Sequence, residues 1–183
     1  MSIYFTRHGE SEDNKSSIIG GNSSLTEKGI EYSILLGEYL KSRISNIWTS
    51  DLNRTKETAK HAFPNHTTTV YENLNEIFSG NYESLDLNTI KIYHPTEYKT
   101  RNEDKLNNKY PNGESYVDLQ KRVEPLLKII PNGTLIITHK AVCRVIHSFL
   151  TKTPLSECVD LDINLHTLYR FENSKLETIN FNL

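Results

Sequence analysis

Six short runs rich in β-branched and aromatic residues, separated by stretches of helical periodicity, set the tightest limit on what this chain can fold into. The runs are Ser2 to Thr6, Asn46 to Thr49, Thr68 to Tyr71, Thr134 to Thr138, Leu165 to Phe171 and Lys175 to Phe181, and such segments read as strands. Thr26 is placed to cap a helix carrying Ile30, Ile34, Leu35 and Leu40. Ser50 is placed to cap a second reaching Phe63, and Ser115 a third running through Leu119, Val123, Leu126, Leu127 and Ile130; hydroxyl caps satisfy the free amides of a first turn. Strands alternating with helices imply a layered α/β fold. Pro125 removes a backbone donor inside the third helix and predicts a kink or break there. A turn at Asn173-Ser174 predicts a terminal hairpin, hence a mixed sheet at one edge. Residues 73–112 are irregular and rich in charge and Asn, and an excursion of that length in a compact fold is most often a functional cover.

Composition narrows the partners. The 183 residues suit a single domain spanning 1–183, and 21 Lys plus Arg against 23 Asp plus Glu leave a formal charge of −2. A dedicated nucleic-acid binder would be distinctly basic. No stretch approaches the roughly 20 apolar residues of a membrane span, and the amino terminus runs directly into Ile3-Tyr4-Phe5. The expectation is a cytoplasmic protein that engages neither membrane nor nucleic acid. Cys143 and Cys158 lack metal-ligand or CxxC spacing and read as buried small hydrophobes.

Two of the strands end alike. Ile3-Tyr4-Phe5-Thr6 runs into Arg7-His8-Gly9, and Leu135-Ile136-Ile137-Thr138 runs into His139-Lys140. Ligands of open α/β sheets gather beyond strand carboxyl ends, so these two ends would bring His8 and His139 together. Arg54 follows a third strand end at the start of a helix, where anions are favoured, and with Arg7 it could grip a phosphoryl group. Glu76 lies just beyond the strand ending at Tyr71 and is the candidate proton donor. Two arginines beside the histidines disfavour a metal cation, and no GxSxG elbow marks a serine nucleophile.

Four motifs then occur in order: Arg7-His8-Gly9-Glu10-Ser11 with Asn14, Leu25-Thr26-Glu27-Lys28-Gly29, Ser50-Asp51-Leu52-Asn53-Arg54-Thr55, and Thr138-His139. Together they resemble the histidine phosphatase superfamily. Leu74-Asn75-Glu76-Ile77, Tyr110 through Tyr116, Arg122-Val123-Glu124-Pro125 and Leu165-His166-Thr167 are similar to the bisphosphatase half of 6-phosphofructo-2-kinase/fructose-2,6-bisphosphatase. No GxxxxGK[ST] loop is present, so kinase activity is not implied. The resemblance implies a three-layer α/β/α fold of the phosphoglycerate mutase type, with a mostly parallel central sheet of about six strands. It implies cofactor-free hydrolysis of a sugar phosphate, with the 2-phosphate of fructose 2,6-bisphosphate the leading substrate, through a phosphohistidine on His8. Arg7, Arg54, His139 and Asn14 would steady the transferring oxygens, and Glu76 would protonate the leaving oxygen. Gly20, Arg101, Lys105, Tyr116, Lys140 and Arg144 would bind the rest of the substrate. Arg101 and Lys105, four apart, would share one helical face. The chain departs from the pattern at Leu87, where a substrate-contacting Tyr is usual, and at Lys140, where Gln is usual. A broad-specificity phosphomonoesterase, a phosphoglycerate mutase and a non-catalytic phosphate-binding module stand as alternatives, with the small-molecule ligand met by a monomer or homodimer.

Overall fold

The computed structural model describes residues 1–183. Six strands, β1 (Ser2–Arg7), β2 (Asn46–Thr49), β3 (Thr69–Val70), β4 (Thr134–Thr138), β5 (Thr167–Glu172) and β6 (Lys175–Asn180), form one sheet in the order β3-β2-β4-β1-β5-β6. β3, β2, β4 and β1 run parallel, and β5 joins β1 antiparallel. The β5–β6 hairpin turns at Asn173 and Ser174 with φ of 51° and 62°, as a two-residue turn of the type I′ class requires. The mixed edge is thus where the sequence puts it.

Alternation along the central strands divides the core in two. Ile3, Phe5, Trp48 and Ile136 face one cluster, where helices α6 (Tyr116–Leu127), α7 (Lys140–Thr151) and α8 (Leu155–Cys158) pack. Tyr4, Ile47, Leu135 and Ile137 face the other, beneath α2 (Glu27–Leu40) and α3 (Asn53–Ala62). Apolar side chains on both faces of the parallel strands give a three-layer α/β/α arrangement. Cys143 and Cys158 are both buried in the first cluster. No helix is long and apolar enough to cross a membrane.

Thr26 caps α2 by accepting from the Gly29 amide, and Ser115 caps α6 in a reciprocal box with Asp118. Ser50 does not cap α3. That helix starts at Asn53 behind Leu52, and the Ser50 hydroxyl is instead turned inward to His139. Pro125 does not end α6, which continues to Leu127. Its missing donor falls in the last turn, so only one internal hydrogen bond is forgone. The excursion 73–112 builds a wall from two 3₁₀ turns, α4 (Leu87–Tyr93) and α5 (Pro95–Glu103); α1 (Glu12–Lys15) lies beyond β1.

One close approach ties the fold to the loop after β1. A Cβ on Gly9 would sit 2.4 Å from the Gly29 carbonyl oxygen, and one on Gly29 would sit 2.2 Å from that of Glu10. Within an unobstructed helix, Gly to Ala gains about 1 kcal/mol. Here the added methyl must displace backbone, and overpacking costs about 1–3 kcal/mol. Gly29→Ala is therefore expected to lower the urea midpoint; a rise would show that the α2 terminus can move away from the loop.

Candidate active site

The carboxyl ends of β1, β4 and β2 open side by side. His8 continues β1 and bonds through its amide to the Thr138 carbonyl at 2.9 Å, so the parallel register places His8 next to His139, with ring centroids 5.2 Å apart. The His8 ring donates from Nδ1 to the Gly9 carbonyl at 2.7 Å. That leaves Nε2 as the bare lone pair, and it accepts from Arg54 Nε at 3.0 Å. Burial, then the positive Arg54 and Arg7, hold the His8 pKa well below the ordinary imidazole value. A neutral imidazole with a free lone pair is the form that can attack phosphorus.

The other candidates surround this ring. Arg54 reaches over from the first turn of α3, with Nη1 donating to the Gly21 carbonyl at 2.8 Å. His139, fully buried at the start of α7, contacts the Ser50 hydroxyl through Nε2 at 2.8 Å, while its Nδ1 has no partner. Burial and Arg54 depress its pKa also. Asn14 spends its amide oxygen on the Ser11 amide within the α1 capping box, which leaves its NH2 group available as a donor. Glu76 anchors one oxygen, Oε1, on the amides of Ile77 and Ala141 at 3.0 and 3.1 Å, leaving Oε2 free of hydrogen bonds.

His8, Asn14, Arg54 and Glu76 line a cavity of about 350 Å3 together with Arg7, Gly20, Tyr116, Lys140 and Arg144, whereas His139 is fully buried behind that lining. Leu87 borders the cavity as well. Arg101 and Lys105 lie in an adjoining chamber of about 180 Å3, walled by Tyr82, Tyr98, Tyr110 and Tyr116 and sharing Arg144 with the first cavity. They are neighbours there, though for a different reason from the helical spacing. α5 ends at Glu103, and Lys105 follows in a turn. Arg101 is 4% exposed, has Nε and Nη1 unpaired, and stacks its guanidinium 4.6 Å from the Tyr110 ring. Tyr116 donates nothing to Arg144 but accepts from its Nη1 at 2.6 Å, and burial pushes the phenol up to about 12.

Sequence reasoning missed the supports. Arg122 donates to the carbonyls of Asn73, Asn75 and Glu76 and pairs with Glu114, which fixes the loop carrying Glu76. Its motif is visible in the sequence, but its role requires knowing that α6 passes beneath that loop. Thr58 receives the Gly9 amide at 2.9 Å, and Ser50 bridges Thr55 and His139. Thr58 carries no distinguishing sequence signal, and Ser50, although it opens one of the four motifs, reads there as a helix cap.

A three-layer α/β/α fold with a neutral histidine among arginines at the parallel strand ends defines a phosphoryl-handling class of protein. The model of the histidine phosphatase superfamily (branch 1) matches residues 3–178, and the chain belongs to that family. Among curated relatives, a Caenorhabditis elegans 6-phosphofructo-2-kinase/fructose-2,6-bisphosphatase is 35% identical over 174 residues, which covers 92% of this chain and 38% of that protein. A Saccharomyces cerevisiae fructose-2,6-bisphosphatase is 36% identical over 176 residues, covering 93% and 38%. The chain thus spans well under half the length of these relatives. Among solved structures, the Shigella flexneri alpha-ribazole phosphatase superposes with a TM-score of 0.86 at 20% identity, covering 100% of this chain and 96% of that one. Bacillus stearothermophilus YhfR gives 0.81 at 26% identity, covering 96% and 94%.

The depressed histidines make stability depend on pH. The unfolded chain binds protons at these rings near pH 6.5, whereas the folded chain does not, so unfolding takes up protons and becomes easier as pH falls below that value. The unfolding free energy is expected to decrease between pH 7 and pH 6, above the carboxylate range. NMR titration should find both rings still neutral at pH 6, and protonation of His8 near 6.5 would contradict the assignment.

Proposed function

We propose that this chain is a cofactor-free phosphatase acting on a sugar phosphate, with the 2-phosphate of fructose 2,6-bisphosphate as its preferred target. The lone pair of His8 Nε2 attacks phosphorus in line with the departing ester oxygen, displacing Arg54 from that nitrogen. Arg54, Arg7, the Asn14 amide and His139 meet the charge that develops on the phosphoryl oxygens. As the bond to the sugar oxygen breaks, Glu76 delivers a proton to it from Oε2. The same carboxylate then takes a proton from the water that attacks the phosphohistidine, releasing phosphate and restoring neutral His8.

The observation carrying the substrate is Arg101. A guanidinium that is almost wholly buried yet leaves two nitrogens unpaired is costly unless an anionic group meets it. It lies in a chamber that adjoins the catalytic cavity, the two sharing Tyr116, Arg144, Ile77 and Leu87 in their walls, which suits a small molecule with a second phosphate. The relatives named as fructose-2,6-bisphosphatases support the same reading. Leu87 offers no hydroxyl, so the distal phosphate would depend on cations and on the tyrosines of the chamber.

Purified protein is to be assayed on fructose 2,6-bisphosphate, other sugar phosphates, phosphoglycerates and p-nitrophenyl phosphate. A clear kcat/KM preference for the bisphosphate is expected. Equal values for it and p-nitrophenyl phosphate would refute the substrate assignment while leaving phosphatase activity in place. Return of the phosphoryl group to a second hydroxyl, instead of to labelled water, would indicate a mutase. Glu76→Gln is expected to lower kcat by about 10²–10⁴-fold, the usual reach of general acid catalysis, and an unchanged rate would remove Glu76 from that role.

A further inference from the structure

Four consecutive residues after α8 each hold one cation of the two cavities. Asp160 pairs with Lys105. The Leu161 carbonyl accepts from Arg144 Nε at 2.8 Å. Asp162 Oδ1 lies 3.2 Å from Lys140 Nζ, and the Ile163 carbonyl accepts from Arg7 Nη1 at 3.0 Å. The two arginines are therefore held by neutral oxygens and keep their full charge toward the ligand. The two lysines are each matched by a carboxylate.

Exposure orders these partners. The Asp160 and Asp162 side chains are 71% and 73% exposed, against 29% and 38% for Lys105 and Lys140. Neither aspartate lines either of these two cavities, whereas Lys105 lines the chamber and Lys140 the catalytic cavity. Each ammonium thus stands between a solvent-side carboxylate and the space where a phosphate would bind. A lysine head is a compact point charge on a flexible stem and can turn from one oxygen anion to another. The carboxylate left behind remains a nearby like charge to that phosphate, which disfavours its binding.

We propose that Asp160 and Asp162 are specificity-determining residues: they make lysine engagement an exchange of carboxylate for phosphate, and so tune how strongly the site favours ligands carrying a second phosphate. This rests on the phosphate-ester reading above but not on which sugar is bound. Asp160 acts at the distal chamber, so only a ligand with a second anionic group meets it. Asp162 acts through Lys140 at the catalytic cavity, so any phosphate does. The Asp160 carboxyl is held below the usual carboxylate range by its Lys105 partner, consistent with a charged competitor at neutral pH.

The test is calorimetric binding of inorganic phosphate and of fructose 1,6-bisphosphate to the unmodified protein, Asp160→Asn and Asp162→Asn. Asp160→Asn is expected to tighten the bisphosphate by about two- to five-fold, the scale of a solvent-exposed ion pair, and to move phosphate less. Asp162→Asn is expected to tighten both ligands. The gains should shrink between about 0.01 M and 0.1 M salt, as the screening length falls from roughly 30 to 10 Å. In a Lys105→Gln background the Asp160→Asn gain should vanish or turn into relief of repulsion alone, giving a non-zero coupling in the double-mutant cycle. Unchanged or weakened bisphosphate binding in Asp160→Asn overturns the proposal, as does no bisphosphate binding by any form. Because binding is read without turnover, tightening in a protein that shows no hydrolytic preference for fructose 2,6-bisphosphate would sink the substrate assignment and leave the exchange standing.

Discussion

The 2.7 Å hydrogen bond from His8 Nδ1 to the Gly9 carbonyl settles where the ring proton sits and so which nitrogen carries the lone pair. A nucleophilic imidazole must be unprotonated at Nε2 at neutral pH. Burial and the two neighbouring arginines penalise the charged ring, while the carbonyl fixes the remaining tautomer. Much else in the molecule follows from holding that carbonyl in place. Gly9 is pinned through its amide by Thr58 and through its close approach to Gly29, and Thr58 in turn bonds the Arg54 carbonyl at 2.7 Å. His8 and Arg54 are therefore positioned by one small network that spans β1, α2 and α3.

Charge is distributed with the same economy. Seven arginines and fourteen lysines nearly balance the acids over the chain, yet Arg7, Arg54, Arg101 and Arg144 all line the two adjoining cavities. Desolvation lowers the pKa of Arg7, Arg54 and Arg101, but an arginine starts high enough to stay charged where a buried lysine would be prone to lose its proton. The lysines sit nearer solvent with carboxylates at hand. A near-neutral surface can thus enclose a strongly cationic cleft, which concentrates a small polyanion without attracting large ones.

Much of this was legible because the informative signals are local. Ile3 to His8 and Leu135 to His139 spell a strand and the chemical group at its end in one continuous run, and parallel pairing does the rest. The hairpin at Asn173-Ser174 and the caps at Thr26 and Ser115 are similarly local. Ser50 misled because its sequence position suits a cap equally well. Only the neighbouring strand, 89 residues away, supplies the histidine that draws its hydroxyl inward. Arg101 and Lys105 met in one chamber although the helix linking them ends between the two, since chain direction after α5 is decided by packing against α6 and not by spacing. Arg122 and the Asp160 to Ile163 segment act across separations that no periodicity reports.

The two cavities are built from different kinds of structure. The cavity around His8 is floored by strand termini and helix starts locked into the central sheet. Most of the distal chamber is furnished by the 73–112 excursion, whose short helices pack on the molecule from outside the three layers. Changes in the part of that excursion beyond Glu76, from Tyr82 to Lys105, can therefore reshape the distal chamber while His8, Arg54 and His139 keep their places at the strand ends.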